Sequence, residues 1–170
     1  MNDVSTVIRE RRSIRKYQKG KEIPQNDIDM MLEAAMMAPS ANNQRPWEFI
    51  VIKSEELRKE IMKVHPYAGF LADASLAIIV CGRNHRIESD TPQGYWVQDC
   101  SAATENILLQ AAGLGYGTVW CGVYPSMDRV EAIMKLLNLS NIPLNVIAVG
   151  VPDESPAARG FYDKERVTYL

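Results

Sequence analysis

The hydrophobic positions of this chain form segments with helical spacing that alternate with short, continuous apolar runs. Apolar residues three and four positions apart share one face of a helix, whereas an apolar run of about 4–8 residues between turn signals is typical of a buried strand. Four runs predict strands at 47–52, 75–82, 117–123 and 144–151. Five helices are predicted around them: one carrying Val4, Val7 and Ile8, one opened by Pro24, one with Leu57, Ile61 and Val64 inward, one from Tyr95 to Leu114, and one capped by Ser126.

This alternation by itself indicates a three-layer α/β or an α+β domain. The predicted helix at 95–114 is the longest, and it is apolar or small on nearly all sides. Such a helix is either central in its own fold or packed against a partner. Polar segments at 39–46 and 83–94 are predicted as loops, and the polar C-terminal tail is not expected to pack alone.

Composition and charge narrow the possible functions. The 170 residues are enough for one domain, predicted over 1–170, and 46% apolar with 24% charged residues are globular proportions. With 19 Lys and Arg against 21 Asp and Glu, the net charge of −2 argues against a nucleic-acid-binding protein. The longest apolar run, Leu76–Cys81, is far shorter than the ~20 residues of a transmembrane helix. No signal peptide is visible, so we expect a cytoplasmic protein that does not enter a membrane.

Ordinary catalytic and metal-binding groups are scarce. Two histidines make a zinc site hard to assemble, and we expect no metal. Cys81 and Cys121 stand in apolar strands, where a thiol is usually inert core, and no Ser–His–Asp arrangement is apparent. A protein without acid–base machinery fits one that holds a cofactor which carries the chemistry.

Two polar segments are candidate ligand sites. Arg11, Arg12, Ser13 and Arg15 could bind phosphate through guanidinium and hydroxyl donors, or they could be a solvated basic segment. The loop at 39–46 could read the polar edge of a planar heterocycle, or its side chains could bond only the local backbone.

Two further segments carry weaker signals. Gly113 and Gly115 form a GxG pair, but they follow a helix and precede a strand, which is the reverse of the dinucleotide-binding context. Gly122 lies inside a predicted strand, where a glycine often marks the close approach of a ligand or another backbone. In the tail, Lys164 and Arg166 would point the same way if the backbone there were extended.

Taken in order, five segments resemble the FMN-dependent nitroreductase family: RRSIRKY, APSANNQRPWEFIV, DASLAIIVCG, the stretch from Trp96 to Val123, and VGVPDESP with DKERV. Any one motif is weak, but all five stand in the family's order across nearly the whole chain. The resemblance implies an α+β, nitroreductase-like fold, with a central mixed β-sheet flanked by helices, in an intertwined homodimer. It also implies two FMN sites, each built from both chains.

The resemblance further implies which positions bind FMN. Arg11, Arg12, Ser13 and Arg15 match the segment at the phosphate and the polar side of the flavin, and Lys164 and Arg166 match a basic pair at the phosphate. Pro39, Ser40 and Asn43 match a loop supplied by the neighbouring subunit. Arg45 stands where the family usually has Gln, and we include it as a cofactor-binding candidate. Trp120, Cys121, Gly122 and Val123 match the strand on one flavin face, with the Gly122 backbone N–H toward flavin N5.

The implied activity is ping-pong electron transfer from NAD(P)H, through FMN, to a small-molecule oxidant such as a nitroaromatic or a quinone. The cofactor would carry the chemistry, so no catalytic side chain is assigned. Two alternatives stay open: specialised flavin chemistry in the same family (dehalogenation, azoline oxidation or fragmentation of the flavin), and a non-catalytic protein that binds or stores FMN.

Overall fold

Five α-helices carry the apolar stripes described above. The computed structural model of the protein describes residues 3–83, 95–157 and 159–170. Among them, α1 spans Val4–Glu10, α2 Gln25–Met36, α3 Glu55–Val64, α4 Trp96–Gly113 and α5 Met127–Leu137. The predicted helices are confirmed to within a few residues, although the Ser126 side chain makes no capping hydrogen bond. All of the predicted loop at 83–94 except Arg83 lies outside the described residues.

The strands form one four-stranded sheet. They are β1 (Trp47–Ile52), β2 (Leu76–Gly82), β3 (Gly117–Gly122) and β4 (Ile142–Gly150), in the order β1-β2-β4-β3. Every pair of neighbouring strands is antiparallel. The α+β expectation is confirmed, and the α/β alternative, which would require a mostly parallel sheet, does not apply. Within the described residues, the parallel component of the expected mixed sheet is the isolated bridge between Ser13 and Thr118.

The sheet separates two hydrophobic cores. On one face α2 and α4 pack, with Met31 and Ile107 fully buried, and on the other face α3 and α5 contribute Ile61 and Ile133. All seven residues of β2 are buried, as expected for a central strand covered on both faces. The long helix α4 is therefore central, which was one of the two readings of its apolar surface.

The end of α4 explains the glycines that follow it. Gly115 has a φ of +87°, and the N–H groups of Gly115 and Tyr116 donate to the carbonyls of Ala112 and Ala111. This is the Schellman arrangement, in which a left-handed residue after the helix satisfies its last carbonyl groups. The GxG pair thus ends a helix, as expected.

The segment after α1 extends the sheet beyond the edge strand β3. The Ile14 N–H donates to the Thr118 carbonyl at 2.8 Å, and Tyr17 forms an antiparallel bridge with Pro152. The Tyr17 hydroxyl is buried and donates to the Ile14 carbonyl at 2.6 Å. The basic segment is therefore held against β3 by backbone hydrogen bonds rather than left free in solvent.

Candidate functional site

The outer edge of β3 faces the basic segment rather than another strand. In an antiparallel strand, successive residues point their N–H and C=O groups alternately toward and away from the neighbouring strand. The Thr118 carbonyl accepts from Ile14, and the Gly122 carbonyl accepts from the His65 ring, neither of which lies on β4. Residues 118, 120 and 122 therefore direct their backbone groups away from β4, and the N–H of Gly122 points outward from the sheet.

The space that a side chain at position 122 would occupy is open. A Cβ atom built there would have no heavy atom within 4 Å, and the pairing of β3 with β4 is regular up to Gly122 opposite Asn145. Core packing therefore does not account for a glycine at this position. Because the fold leaves this space free, a ligand can approach the backbone closely at Gly122.

Two cavities meet at Arg15. One, of about 450 Å³, is lined by Gly122 and by the aromatic side chains of Tyr67, Phe70 and Trp120. The other, of about 580 Å³, is lined by Ser13 and by five arginines: Arg9, Arg11, Arg12, Arg15 and Arg159. Aromatic walls suit a planar ring, and arginines with a hydroxyl suit a phosphate. The pair of cavities is complementary to a molecule that combines the two groups.

The basic segment is held in place by particular contacts. The backbone N–H groups of Arg15 and Lys16 both donate to the carboxylate of Glu154. The Arg11 guanidinium lies 3.5 Å from the carboxylate of Glu105, and Arg12 donates to the carbonyls of Arg9 and Arg11. Arg12 thus has a structural role in addition to any ligand role, while Arg15 is left to face both cavities.

The loop between α2 and β1 has strained backbone torsions and hydrogen bonds between its own residues. Asn42, Asn43 and Arg45 all have φ values between 51° and 55°, a region that costs a non-glycine residue about 1–3 kcal/mol. The Arg45 N–H donates to Ser40 Oγ at 3.0 Å, and its Nε donates to Asn43 Oδ1 at 3.0 Å. The local backbone bonding that the sequence allowed is therefore present in the structure.

This loop does not reach either cavity within one chain. Pro39, Ser40, Asn43 and Arg45 line neither the 450 Å³ nor the 580 Å³ cavity formed by the described residues. The loop is anchored instead at the start of α4, where Asp99 accepts the Ala41 N–H at 3.0 Å. Burial raises the pKa of Asp99, whose Oδ2 is buried without a hydrogen-bond partner among the described atoms.

The tail is not extended at the two basic residues. Lys164 and Arg166 lie in one 3₁₀ turn, Lys164–Arg166, so the two-residue alternation of a strand does not apply to them. The Arg166 guanidinium pairs with Asp163 at 2.9 Å. Neither residue lines the arginine-rich cavity, whose tail wall includes Phe161 and Tyr162.

The strand residues matched by the resemblance divide into two groups. Trp120, Cys121 and Gly122 line the aromatic cavity, whereas the Val123 side chain is 1% exposed and lines neither cavity. Burial raises the pKa of the Cys121 thiol to about 12, so the thiol stays protonated at neutral pH. This agrees with the expectation that the cysteines are inert core.

Three residues of the site have no clear signal in the sequence. His65 and Arg129 both contact the Gly122 carbonyl, and Asp99 anchors the strained loop. His65 stands 57 positions from Gly122, and Asp99 stands 58 positions from Ala41. Only the tertiary structure brings these pairs together. The described residues contain no group of three or more His, Cys, Asp or Glu side chains that could hold a metal.

Comparison with known proteins identifies the family. The Nitroreductase family profile matches residues 8–65 and 62–151. A protein of Methanothermobacter thermautotrophicus, provisionally named NADH dehydrogenase/NAD(P)H nitroreductase, is 48% identical over 97% of this chain and 85% of its own length. This chain belongs to the nitroreductase family.

Solved nitroreductase-family structures share the fold. One from Bacteroides thetaiotaomicron, with the same provisional name, superposes with a TM-score of 0.90 at 39% identity and covers 99% of this chain and 98% of its own. An FMN-dependent nitroreductase from Clostridium difficile superposes with a TM-score of 0.85 at 30% identity over 96% of both chains. The nitroreductase-like fold expected from the sequence motifs is confirmed. Among the described residues, no helix has the length and hydrophobicity needed to cross a bilayer.

Proposed function

We propose that this protein is an FMN-dependent oxidoreductase that takes electrons from NAD(P)H and passes them to a small electron-poor acceptor. The observation that carries the proposal is the outward-pointing Gly122 N–H, set beside open space between an aromatic cavity and an arginine-rich one. FMN combines a planar ring with a phosphate, so the residues present fit this cofactor. The likeness to proteins named NAD(P)H nitroreductase and FMN-dependent nitroreductase supports the same assignment.

The chain's own residues would hold FMN as follows. Arg11 and Ser13 would bind the phosphate, and Arg15 would face the polar side of the ring, since it lines both cavities. Trp120, Cys121 and Gly122 would border the ring, with the Gly122 N–H donating to its N5. When bound, FMN would supply the chemistry of hydride and electron transfer. The protein's part is to position both partners of each transfer on one open face.

Nitroaromatics and quinones are the proposed acceptors. The aromatic residues Tyr67, Phe70 and Trp120 form much of the wall of the aromatic cavity, which Arg15, His65 and Arg129 also line. Such a surface favours stacking of planar molecules over recognition of one polar pattern. A cytoplasmic location remains a prediction of the sequence.

The active form is proposed to be a homodimer with composite sites. The strained loop at 40–45 does not line the two cavities of its own chain, yet Ser40 and Asn43 match a cofactor-binding loop. Apolar residues on α1 and after α2 are exposed, including Val4 at 73% and Met37 at 71%. A cavity of about 280 Å³ between α1, α2 and α4 is lined by Val4, Val7, Ile8, Met30, Ala34 and Leu114, among others. Large apolar patches of this kind mark protein interfaces.

Anaerobic reduction tests the activity. The purified protein, supplied with FMN where needed, is titrated with NADH and separately with NADPH while the flavin absorption is followed. We expect stoichiometric bleaching, then recovery of the absorption when a quinone or nitroaromatic is added. Bound FMN that neither donor bleaches would favour storage or a specialised reaction, and failure to bind FMN would refute the proposal.

Subunit complementation tests the composite site. A chain with Gly122→Val and a chain with Asn43→Ala are expected to be impaired as homodimers. Their co-expressed heterodimer pairs one doubly altered site with one unaltered site, so about half of wild-type FMN binding per dimer should return. A heterodimer no better than either homodimer would place the whole site within one chain. Sedimentation equilibrium establishes the oligomeric state of each sample.

A further inference from the structure

The carbonyl group of Gly122 is bound from two sides. The His65 ring Nε2 lies 3.0 Å from the carbonyl oxygen, and Arg129 Nη1 donates to the same oxygen at 3.2 Å. Gly122 is the last residue of the edge strand β3, where a glycine has unusual backbone freedom. The two donors therefore hold a segment that its own sequence leaves flexible.

His65 is buried beside the Gly122 carbonyl and is held there by its own backbone. It follows the last residue of α3, its side chain is 1% exposed, and its backbone N–H donates to the Ile61 carbonyl at 2.9 Å. A carbonyl oxygen only accepts hydrogen bonds, so Nε2 must carry the proton that points at Gly122. The other ring nitrogen, Nδ1, is buried with no hydrogen-bond partner among the described atoms. Burial also lowers the pKa of His65 below its ordinary value, so at neutral pH His65 is a neutral donor to Gly122.

Arg129 completes a closed cluster of side chains. It lies in the first turn of α5, and its guanidinium stands 5.2 Å from the centre of the Tyr67 ring. Tyr67 packs edge-on to His65, with ring centroids 6.4 Å apart. Side chains from the C-terminal end of α3 and the first turn of α5 therefore meet at one backbone atom, the carbonyl oxygen of Gly122.

The contacts around Gly122 fix the direction of its N–H. On the side of Cys121, the backbone is tied to β4 opposite Val146, and on the other side the Val123 N–H donates to the Leu144 carbonyl at 3.0 Å. With the carbonyl of Gly122 also held, the torsions on both sides of its α-carbon are fixed. The outward N–H is then aimed at the aromatic cavity before any ligand arrives.

We propose that His65 and Arg129 are positioning residues that hold the Gly122 carbonyl and so preorganise the Gly122 N–H toward the flavin N5. This inference rests on the proposed function. Neither side chain is assigned to the redox step itself; both act through the backbone of Gly122. Preorganised donors lower the cost of ligand binding because their conformational freedom is lost during folding rather than on binding.

Two uncharged substitutions of His65 distinguish the effect of its hydrogen bond from the effect of its packing. His65→Gln retains an N–H donor at a similar distance from the backbone, whereas His65→Leu fills the space without a donor. Because His65 is neutral, neither substitution changes the charge near the cofactor. Arg129→Met removes the second donor at a partly exposed position, and Lys135→Met, on the exposed side of the same helix, is its matched control for charge.

The readouts are the FMN dissociation constant, from fluorescence titration of the apoprotein, and the midpoint potential of bound FMN. We expect His65→Leu to weaken FMN binding about tenfold and Arg129→Met about threefold, as for loss of one hydrogen bond. Both should shift the midpoint potential, which a merely structural role would leave unchanged. His65→Gln and Lys135→Met should remain close to wild type in both quantities.

The experiment distinguishes failure of this inference from failure of the proposed function. Folded His65→Leu and Arg129→Met proteins with wild-type affinity and potential would overturn the inference while leaving the proposed function intact. If His65→Leu does not fold, as judged by circular dichroism, Arg129→Met against Lys135→Met decides the question alone. A wild-type protein that binds no FMN would overturn the proposed function and this inference together.

Discussion

Gly117 lies directly against Ile14: a Cβ atom added to Gly117 would stand 2.8 Å from the Ile14 Cβ. Contacts this short do not occur between real side chains, so the absence of a side chain at Gly117 is what lets the basic segment pack on β3. Gly150 has the same relation to Tyr17, whose ring Cδ1 would be 2.8 Å from an added Cβ. Two strand glycines thus allow the segment that carries Ser13 and Arg15 to reach the site.

Gly117→Ala should therefore reduce both stability and FMN binding. Overpacking a well-filled site costs about 1–3 kcal/mol, because Ile14 must move and the hydrogen bond from Ile14 to Thr118 is disturbed. The matched control is Gly122→Ala, in the same strand, where an added Cβ meets no atom within 4 Å. Denaturant unfolding of the two apoproteins checks this, and equal stabilities would contradict the packing argument.

Gly122→Val should leave the fold intact and impair the site. The apoprotein is expected to unfold within about 0.5 kcal/mol of wild type, since the new side chain enters open space. The valine methyl groups would occupy the position of the flavin edge, so FMN binding should weaken and reduction by NAD(P)H should slow. The measurement is anaerobic reduction per bound FMN, alongside apoprotein unfolding. Normal reduction with lowered apoprotein stability would show that Gly122 matters only for folding.

Arg11→Ala and Arg166→Ala should each weaken FMN retention. A charge-assisted hydrogen bond to phosphate contributes about 1.5–3 kcal/mol, which corresponds to roughly tenfold or more in affinity, and the loss should grow at high salt. Arg166 is the stricter test, because within one chain it pairs with Asp163 and lines neither cavity. Lys63→Ala removes an exposed cation on α3 and serves as the control. Full flavin retention through dialysis by both arginine variants would refute the phosphate assignment.

The stability of the apoprotein should fall as the pH decreases through about 6.5, in part because of His65. Burial, and secondarily the Arg129 charge, lower the pKa of His65 below its ordinary value of 6.5. Below that pH the unfolded chain binds a proton that the folded chain does not, which favours unfolding by at most about 1.4 kcal/mol per pH unit. The raised pKa of the Asp99 carboxyl acts in the opposite direction at lower pH.

His65→Gln isolates this contribution. Its free energy of unfolding should decrease less than that of wild type between pH 7.5 and pH 5.5, since Asp99 and all other groups are common to both proteins. Identical pH dependences in urea unfolding would mean that His65 titrates normally in the folded state.

Much of the local structure could be predicted from the sequence, because local structure depends on local periodicity. The stripe on α2 and the apolar run of β2 each contain within a few residues the information that places one face or both faces in the core. The bounds of β1 were predicted at 47–52, and the structure has Trp47–Ile52. The order of motifs along the chain was also sufficient to identify the nitroreductase family.

The pairing of the strands was not contained in that periodicity. An apolar run such as β2 is compatible with parallel or antiparallel neighbours, so the order β1-β2-β4-β3 is visible only in the tertiary structure. The sequence also left the conformation of the tail open. Alternation at 164–166 holds only if the backbone is extended, and the Asp163 side chain instead stabilises a 3₁₀ turn by accepting the Glu165 N–H.

The sequence by itself determined the approximate positions of the helices and strands, the family, and the basic segment of Arg11, Arg12 and Arg15 as a candidate site. The tertiary structure alone decided that Gly122 directs its N–H outward and that His65 and Arg129 bind its carbonyl. It also decided that Asp99 anchors the loop at 40–45. The physical reason is the range of the interactions: helical and strand patterns repeat over a few residues, whereas these hydrogen bonds join groups that approach only after the sheet and both helical layers have assembled.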